Sequence, residues 1–176
     1  MDFNGCPESK AKMYGGSVGM KRRVFIDGEA WMLKFPGHAK VNDALSYRNS
    51  SVAEYLGCHI FELAGIPVQE TMLGTTDHDG KEWLVVACKD FTENDRYIVQ
   101  DFTGMKSSVL ATPQHGSGTE ISSIEETIGL QEGIDPDEVL DRFWDMFVVD
   151  ALIGNWDRHN GNWGFLFDPQ RDELKL

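Results

Sequence analysis

The sequence predicts an α+β chain in two parts: an antiparallel sheet with one packed helix over residues 1–90, and a more helical part over residues 91–176. Three observations carry this. Two turn signals, Asp27-Gly28 and Asp77-His78-Asp79-Gly80, each separate runs rich in β-branched and aromatic residues. Residues 52–64 and the stretch after Asp135-Pro136 repeat apolar residues at helical spacing. Between them Lys89-Asp90-Phe91 gives way to the polar run Thr92 to Asn94, which marks a boundary near residue 90.

Composition narrows the function. At 176 residues, with 41% hydrophobic and 11% aromatic residues, the chain can bury one substantial core or two small ones. Its net charge is −13, and no Lys/Arg cluster exceeds Lys21-Arg22-Arg23, which argues against direct nucleic-acid binding and against docking on anionic lipid. The N-terminus carries no apolar signal core and no apolar run is long enough to span a bilayer, so a cytoplasmic protein is expected. Cys6, Cys58 and Cys88 form no C-x-x-C pair, which disfavours a disulfide framework or a zinc site. His38, His59, His78 and His115 are scattered and read as structural or surface groups.

In chain order, Tyr14-Gly15-Gly16-Ser17-Val18-Gly19-Met20-Lys21 is a glycine-rich turn opening into a strand, Arg22 to Ile26. Gly15, Gly16 and Gly19 allow backbone N–H groups to approach a phosphate, and Ser17 and Lys21 add a hydroxyl and a cation, although such turns also serve as plain linkers. The run is not G-x-x-x-x-G-K-[ST], which disfavours a Walker-type nucleotide site. The next strand, Glu29 to Phe35, places Lys34 among apolar residues, either as an edge lysine or as a cation held over nucleotide phosphates.

A helix is expected from Val52 to Ala64, with Ser51 as N-cap, Val52, Leu56, Ile60 and Leu63 as the inner stripe, and Gly65 and Pro67 at its end. Glu54 has two competing jobs here: it completes a capping box with Ser51, or it pairs with Lys34. Strands Val68 to Thr76 and Lys81 to Cys88 complete the sheet, and an adenine ring is expected on the backbone groups of Ala87, Cys88 and Lys89. Residues 95–133 read as a loop containing Ser117-Gly118-Thr119, followed by a short helix. Asp135-Pro136-Asp137-Glu138 then opens a long helix whose face of Val139, Leu140, Phe143, Trp144, Phe147, Val148, Ala151 and Leu152 predicts a core position.

That helix leads into Asn155-Trp156-Asp157-Arg158-His159-Asn160-Gly161-Asn162. Asn, Asp and Gly are common turn formers, so a connection of this composition needs no function. In this context the spacing has a chemical reading: Asp157 receives the proton of an attacking hydroxyl, while the Asn162 carboxamide helps to hold Mg²⁺ on a transferred phosphate.

Taken together, these features resemble the HipA-like serine/threonine kinases, whose catalytic loop has the pattern N-x-D-x-H-x-x-N. The Asp-Arg-His core is also similar to the phosphoinositide kinases. The resemblance implies a protein-kinase-like two-lobed fold with an antiparallel-sheet N-lobe, the start of a helical C-lobe, and ATP between the lobes. It implies Lys34 on the phosphates, Asp157 as base, Asn162 on Mg²⁺, and Asn155 and His159 as supports of the loop. It further implies a protein Ser/Thr substrate, an aminoacyl-tRNA synthetase in some members, and for bacterial members a small DNA-binding antitoxin partner. Such kinases carry a second metal-binding aspartate after the loop, and this chain stops at Leu174-Lys175-Leu176, so a fragment is expected. Asp168 and Asp172 fall where a strand runs into a turn, which would direct both away from the site. The alternatives are a non-catalytic nucleotide-binding module and a lipid or small-molecule kinase.

Overall fold

The computed structural model describes residues 1–9, 20–37, 49–110 and 116–176, so Gly15, Gly16, Ser17 and Gly19 lie outside the described residues, as do His38 and His115. The chain divides into two compact units, residues 1–94 and 95–176. No helix among the described residues is long and apolar enough to cross a membrane.

The first unit contains β1 (Glu8–Ser9), β2 (Lys21–Ile26), β3 (Glu29–Lys34), α1 (Ser50–Leu63), β4 (Thr71–His78) and β5 (Lys81–Lys89), with antiparallel strands in the order β1-β2-β3-β5-β4. Both hairpins close on two residues with positive φ, Asp27 at 51° and Gly28 at 83°, and Asp79 at 51° and Gly80 at 72°. This is the turn geometry whose twist matches that of the strands. The second turn is tighter than the four-residue turn expected, because β4 continues through Asp77 and His78. Strand alternation puts Val24, Ile26, Trp31, Leu33, Val85 and Ala87 on one face, where they pack with Phe3 and Phe35 into the core. The opposite face carries Lys34 toward α1.

The N-terminal residues fasten both edges of this sheet. Thr75 in β4 donates to the Met1 carbonyl (2.8 Å) and accepts from the Phe3 N–H (2.9 Å), while Glu8 and Ser9 pair with Val24 and Arg23 in β2. One strap thus supplies β1 along β2 at one side of the sheet and bonds to β4 at the other, covering edges that would otherwise template aggregation. Gly74 permits the approach, since a Cβ there would lie 2.2 Å from the Met1 carbonyl oxygen.

Helix α1 is turned from its expected orientation. It begins at Ser50, and Asn49 in the N-cap position makes no side-chain cap bond. Ser51 is inside the helix and buried, with its hydroxyl donating to the Leu84 carbonyl at 3.3 Å. The buried residues are Ser51 and Phe61, with Glu54 half-buried toward the sheet; of the expected stripe Val52 and Ile60 are half-buried, whereas Leu56 is 53% and Leu63 88% exposed. This orientation turns Glu54 toward the sheet, where it pairs with Lys34. Gly65, at φ 75°, ends the helix as expected, with the Ile66 N–H donating to the Phe61 carbonyl at 3.0 Å.

The second unit contains β6 (Ile98–Asp101), α2 (Phe102–Val109), α3 (Ile121–Leu130), α4 (Pro136–Ile153), a 3₁₀ turn at Asn160–Asn162, β7 (Gly164–Asp168) and β8 (Glu173–Lys175). The sheet order is β6-β7-β8, and the core is Phe102, Met105, Ile124, Ile128, Val139, Phe143 and Phe165. Helix α2 was not expected, because Gly104, Lys106, Ser107 and Ser108 hide its periodicity; Asp101 caps it by accepting from the Gly104 N–H at 2.7 Å.

Helix α4 starts and stops where its local chemistry dictates. Asp135 accepts from the Asp137 N–H at 3.0 Å, Pro136 opens the first turn, and Gly154 at φ 68° forms the left-handed C-cap. The expected core position holds for only part of its apolar face. Val139, Phe143 and Val149 are buried, whereas Phe147 is 44%, Val148 62% and Leu152 76% exposed. A stripe records which side is apolar, not how much of that side a neighbour covers.

Candidate active site

The first unit supplies a charge cluster on the α1 face of the sheet. Lys34, at the end of β3, places Nζ 2.5 Å from Glu54 Oε1, and the Cys88 thiol donates to the same oxygen at 3.4 Å. Lys21 is the cross-strand partner of Lys34. Burial disfavours the Lys34 ammonium, but its neighbours, the Glu54 carboxylate foremost among them, together raise its pKa above the usual value. Burial, followed by the positive charge of Lys34, lowers that of Lys21. Burial and then the Glu54 charge push the Cys88 thiol far up, so it stays protonated and works as a donor. Of the two jobs open to Glu54, the structure shows the ion pair, since Ser51 lies inside the helix and cannot cap it.

The backbone groups of Ala87, Cys88 and Lys89, where the sequence places an adenine contact, have partners within the sheet unit. Ala87 and Cys88 run between two neighbouring strands, paired in register with Leu33 and Met32 on one side and Met72 and Thr71 on the other. The Lys89 N–H donates to the Glu70 carbonyl (2.9 Å), and its carbonyl accepts from the Gln69 amide (2.8 Å). At Ala87 and Cys88 these are ladder bonds of a strand with a neighbour on each side.

The second unit supplies the loop after α4. Its organiser is Asp150, an acid in the last turn of the helix that is only 5% exposed. Its carboxylate accepts from Arg158 through Nε (2.6 Å) and Nη2 (3.0 Å), and from the Asn155 side chain (2.8 Å). Arg158 also donates through Nη1 to the Asn162 carbonyl at 3.0 Å, and the Asn162 side-chain amide donates to the Asp157 carbonyl at 2.8 Å. Asn155 further accepts from the Asp157 N–H (3.3 Å), and His159 Nδ1 accepts from the Gly161 N–H (3.1 Å). The loop therefore closes on itself and on α4, with Asp157 and Asn162 brought together through a side chain-to-backbone bond. Asp157 itself is exposed.

Asn160 is the loop's inward anchor. Buried to 2% exposure, it donates from Nδ2 to the carbonyls of Gly116 and Gly118, both at 2.8 Å, and the buried Lys106 ammonium donates to that second carbonyl at 2.7 Å. Sequence reasoning missed Asp150 and assigned no role to Arg158 or Asn160. The one available signal for Asp150 was an acid among the apolar residues at the end of a core-facing helix. A groove of about 370 Å³ beside the loop is lined by Ile121, Phe143, Phe147, Ala151 and Trp156 together with the polar groups of Asp150, Asn155, Arg158 and His159.

Asp168 and Asp172 stay apart from this chemistry. Asp168 is fully buried at the end of β7, accepts from the Gln170 N–H at 3.0 Å and pairs with Arg96 at 3.4 Å. Burial opposes its charge, but the N–H groups of Gln170 and Arg171, with Arg96 and Lys175, hold its pKa below the usual carboxylate range. Asp172 occupies the following turn at φ 57°.

A sheet bearing a lysine–glutamate pair against its helix, followed by a helix-to-strand loop with Asp and Asn five residues apart, is a protein-kinase-like α+β arrangement. The chain belongs to the HipA-like C-terminal domain family, whose model matches residues 10–176. It is 42% identical over all 176 residues to the serine/threonine-protein kinase CtkA of Helicobacter pylori, and spans about half of that relative's length, 53%. The crystal structure of a Helicobacter pylori proinflammatory kinase CtkA matches with a TM-score of 0.89 at 39% identity, over 99% of this chain and 57% of that one. The fold class and the family expected from the sequence are those found.

Proposed function

We propose that the chain is the ATP-binding and catalytic-loop portion of a serine/threonine protein kinase, and that the whole protein transfers the γ-phosphate of ATP to a protein hydroxyl. The observation that carries this is the braced loop, which presents an exposed carboxylate at Asp157 next to Asn162 in a chain similar from end to end to a serine/threonine kinase. The acceptor oxygen attacks the γ-phosphorus, its proton passes to the Asp157 carboxylate, and ADP departs as the bond to the β-phosphate oxygen breaks. Lys34, kept protonated by Glu54, binds phosphate oxygens together with Lys21 and the Gly15, Gly16, Ser17 and Gly19 segment.

The donor set suits Mg²⁺. With its amide N–H turned to the Asp157 carbonyl, Asn162 keeps its side-chain oxygen for a hard cation. Bound Mg²⁺ supplies neutralisation of the charge on the transferred phosphate. Asn155 and His159 support the loop through their bonds to the Asp157 and Gly161 N–H groups.

For partners, we propose a protein bearing the acceptor Ser or Thr, with an aminoacyl-tRNA synthetase as first candidate and a small DNA-binding antitoxin as a regulator, in the bacterial cytoplasm. The deciding experiment measures phosphate transfer and ATP binding by the whole protein beside Asp157→Asn. Loss of transfer by about 10²–10⁴-fold, with ATP affinity retained, supports the assignment. Unchanged turnover in the variant overturns it.

A further inference from the structure

We infer that Asp150 and Arg158 act as a positioning pair that sets the relation between Asp157 and Asn162; this rests on the kinase reading of the loop. Asp150 is the loop's fixed point, a buried carboxylate on a long helix whose Val139 and Phe143 are packed in the core. Arg158 is its lever. Two of its nitrogens grip the carboxylate in a fork, at 2.6 and 3.0 Å, and the third reaches the Asn162 carbonyl at 3.0 Å. Since Arg158 directly follows Asp157 in the chain, one planar guanidinium ties both chemistry-bearing residues to α4. The Asn162 amide bond to the Asp157 carbonyl then closes the circuit.

The energetics favour a geometric service over a stabilising one. With Asp150 buried and Arg158 partly exposed, the hydration lost by the carboxylate offsets much of the attraction, so the pair's net gain in stability is small. A bidentate fork does, however, fix distance and angle together in a way that a point charge cannot. A displacement of about 1 Å at a reacting group costs roughly 10²-fold in rate. Asn155 reinforces the same point, with its side chain on the Asp150 carboxylate and its N–H on the Asp150 carbonyl at 2.9 Å. The pair therefore governs where the base stands relative to the metal-binding carboxamide, without touching substrate.

The test compares Asp150→Asn, Arg158→Met and the double variant with the parent protein. Each single change is expected to lower kcat about 10²-fold, leave the KM for ATP within about threefold, and raise the Mg²⁺ concentration for half-maximal rate severalfold. The double variant should be no worse than the poorer single one, because the two residues act as one unit. Fully additive losses that follow only the folded fraction would mean ordinary structural support and overturn the inference. Arg158→Lys, which keeps a cation but loses the fork, should reproduce most of the kcat loss in a folded protein, and parental kcat in that variant also overturns it. Native amide exchange gives a reading independent of turnover: Asp157 to Asn162 should exchange at least about tenfold faster in each variant while α3 is unchanged. If the parent protein transfers no phosphate, the kinase reading fails, and exchange alone decides whether the pair positions the loop.

Discussion

At the scale of single residues, the molecule is most sensitive where an ionisable group depends on one neighbour. Lys34 and Glu54 are each about a third exposed or less, and Glu54 also takes the Cys88 thiol. Lys34→Met should destabilise by about 1–3 kcal/mol, measured by urea unfolding, and weaken ATP binding by more than tenfold in calorimetry. Retained affinity would remove Lys34 from the phosphate site. The pH dependence has a definite sign. Lys34 and Cys88 both hold their protons more tightly folded than unfolded, so their contribution is complete at neutral pH and is lost on the alkaline side. Loss begins near the ordinary thiol value of 9.0 through Cys88, at a slope of roughly 1.4 kcal/mol per pH unit, and Lys34 joins above 10.5. Cys88→Ala should flatten the first part of that slope, and an unchanged alkaline limb would contradict it. None of this was readable from residue identity alone. Glu54 had a local partner in Ser51 and a distant one in Lys34, and only the observed start of α1 decided between them.

At the scale of elements, the N-terminal strap is a small segment with a large effect. Phe3 is 2% exposed and packs with Val24, Trp31, Leu33 and Val85, although it sits in an irregular stretch with no periodicity to betray it. Phe3→Ala should therefore cost about 3–5 kcal/mol, seen as a lower urea midpoint with an unaltered near-neutral fold signature. Gly74→Ala should act at the same place, because its Cβ would meet the Met1 carbonyl, and should approach the cost of Phe3→Ala. A loss below about 1 kcal/mol in both would mean that the strap does not fasten the sheet. Local signals served the elements unevenly. The Asp-Gly hairpins and the limits of α4 were legible because a turn or a cap is decided by a few adjacent residues. The inner face of α1 and the eight-residue α2 were not, because the first is set by packing and an ion pair with another element and the second by polar residues that fit only once packed.

At the scale of the whole molecule, charge is the dominant feature. Of the 29 acidic residues 16 fall in residues 95–176, against 6 of the 16 basic ones. Such an excess destabilises the compact state by self-repulsion, which salt screens over about 10 Å at 0.1 M. Raising ionic strength from about 0.02 to 0.2 M should increase the Tm by a few degrees, and a fall would show that ion pairs such as Arg158–Asp150 outweigh the repulsion. An anionic nucleotide approaching this chain meets a field of its own sign, which makes the local cations Lys21 and Lys34 and a divalent ion with the phosphates necessary to the proposed chemistry.

What the sequence determined by itself was whatever short-range chemistry decides: the hairpin turns, the caps of α4, and the spacing of Asp157 and Asn162 on one loop. The tertiary structure decided which face of α1 meets the sheet, that Met1 to Ser9 join its two edges, that much of the apolar face of α4 stays exposed, that the backbone of Ala87 to Lys89 belongs to the ladder, and that Asp150 braces the loop. The reason is common to all of these. Each depends on a partner that the chain's own periodicity does not encode, as when Thr75 meets Met1 or Glu54 meets Lys34. A pattern of residue types shows that a group needs a partner, and only folding shows which one it finds.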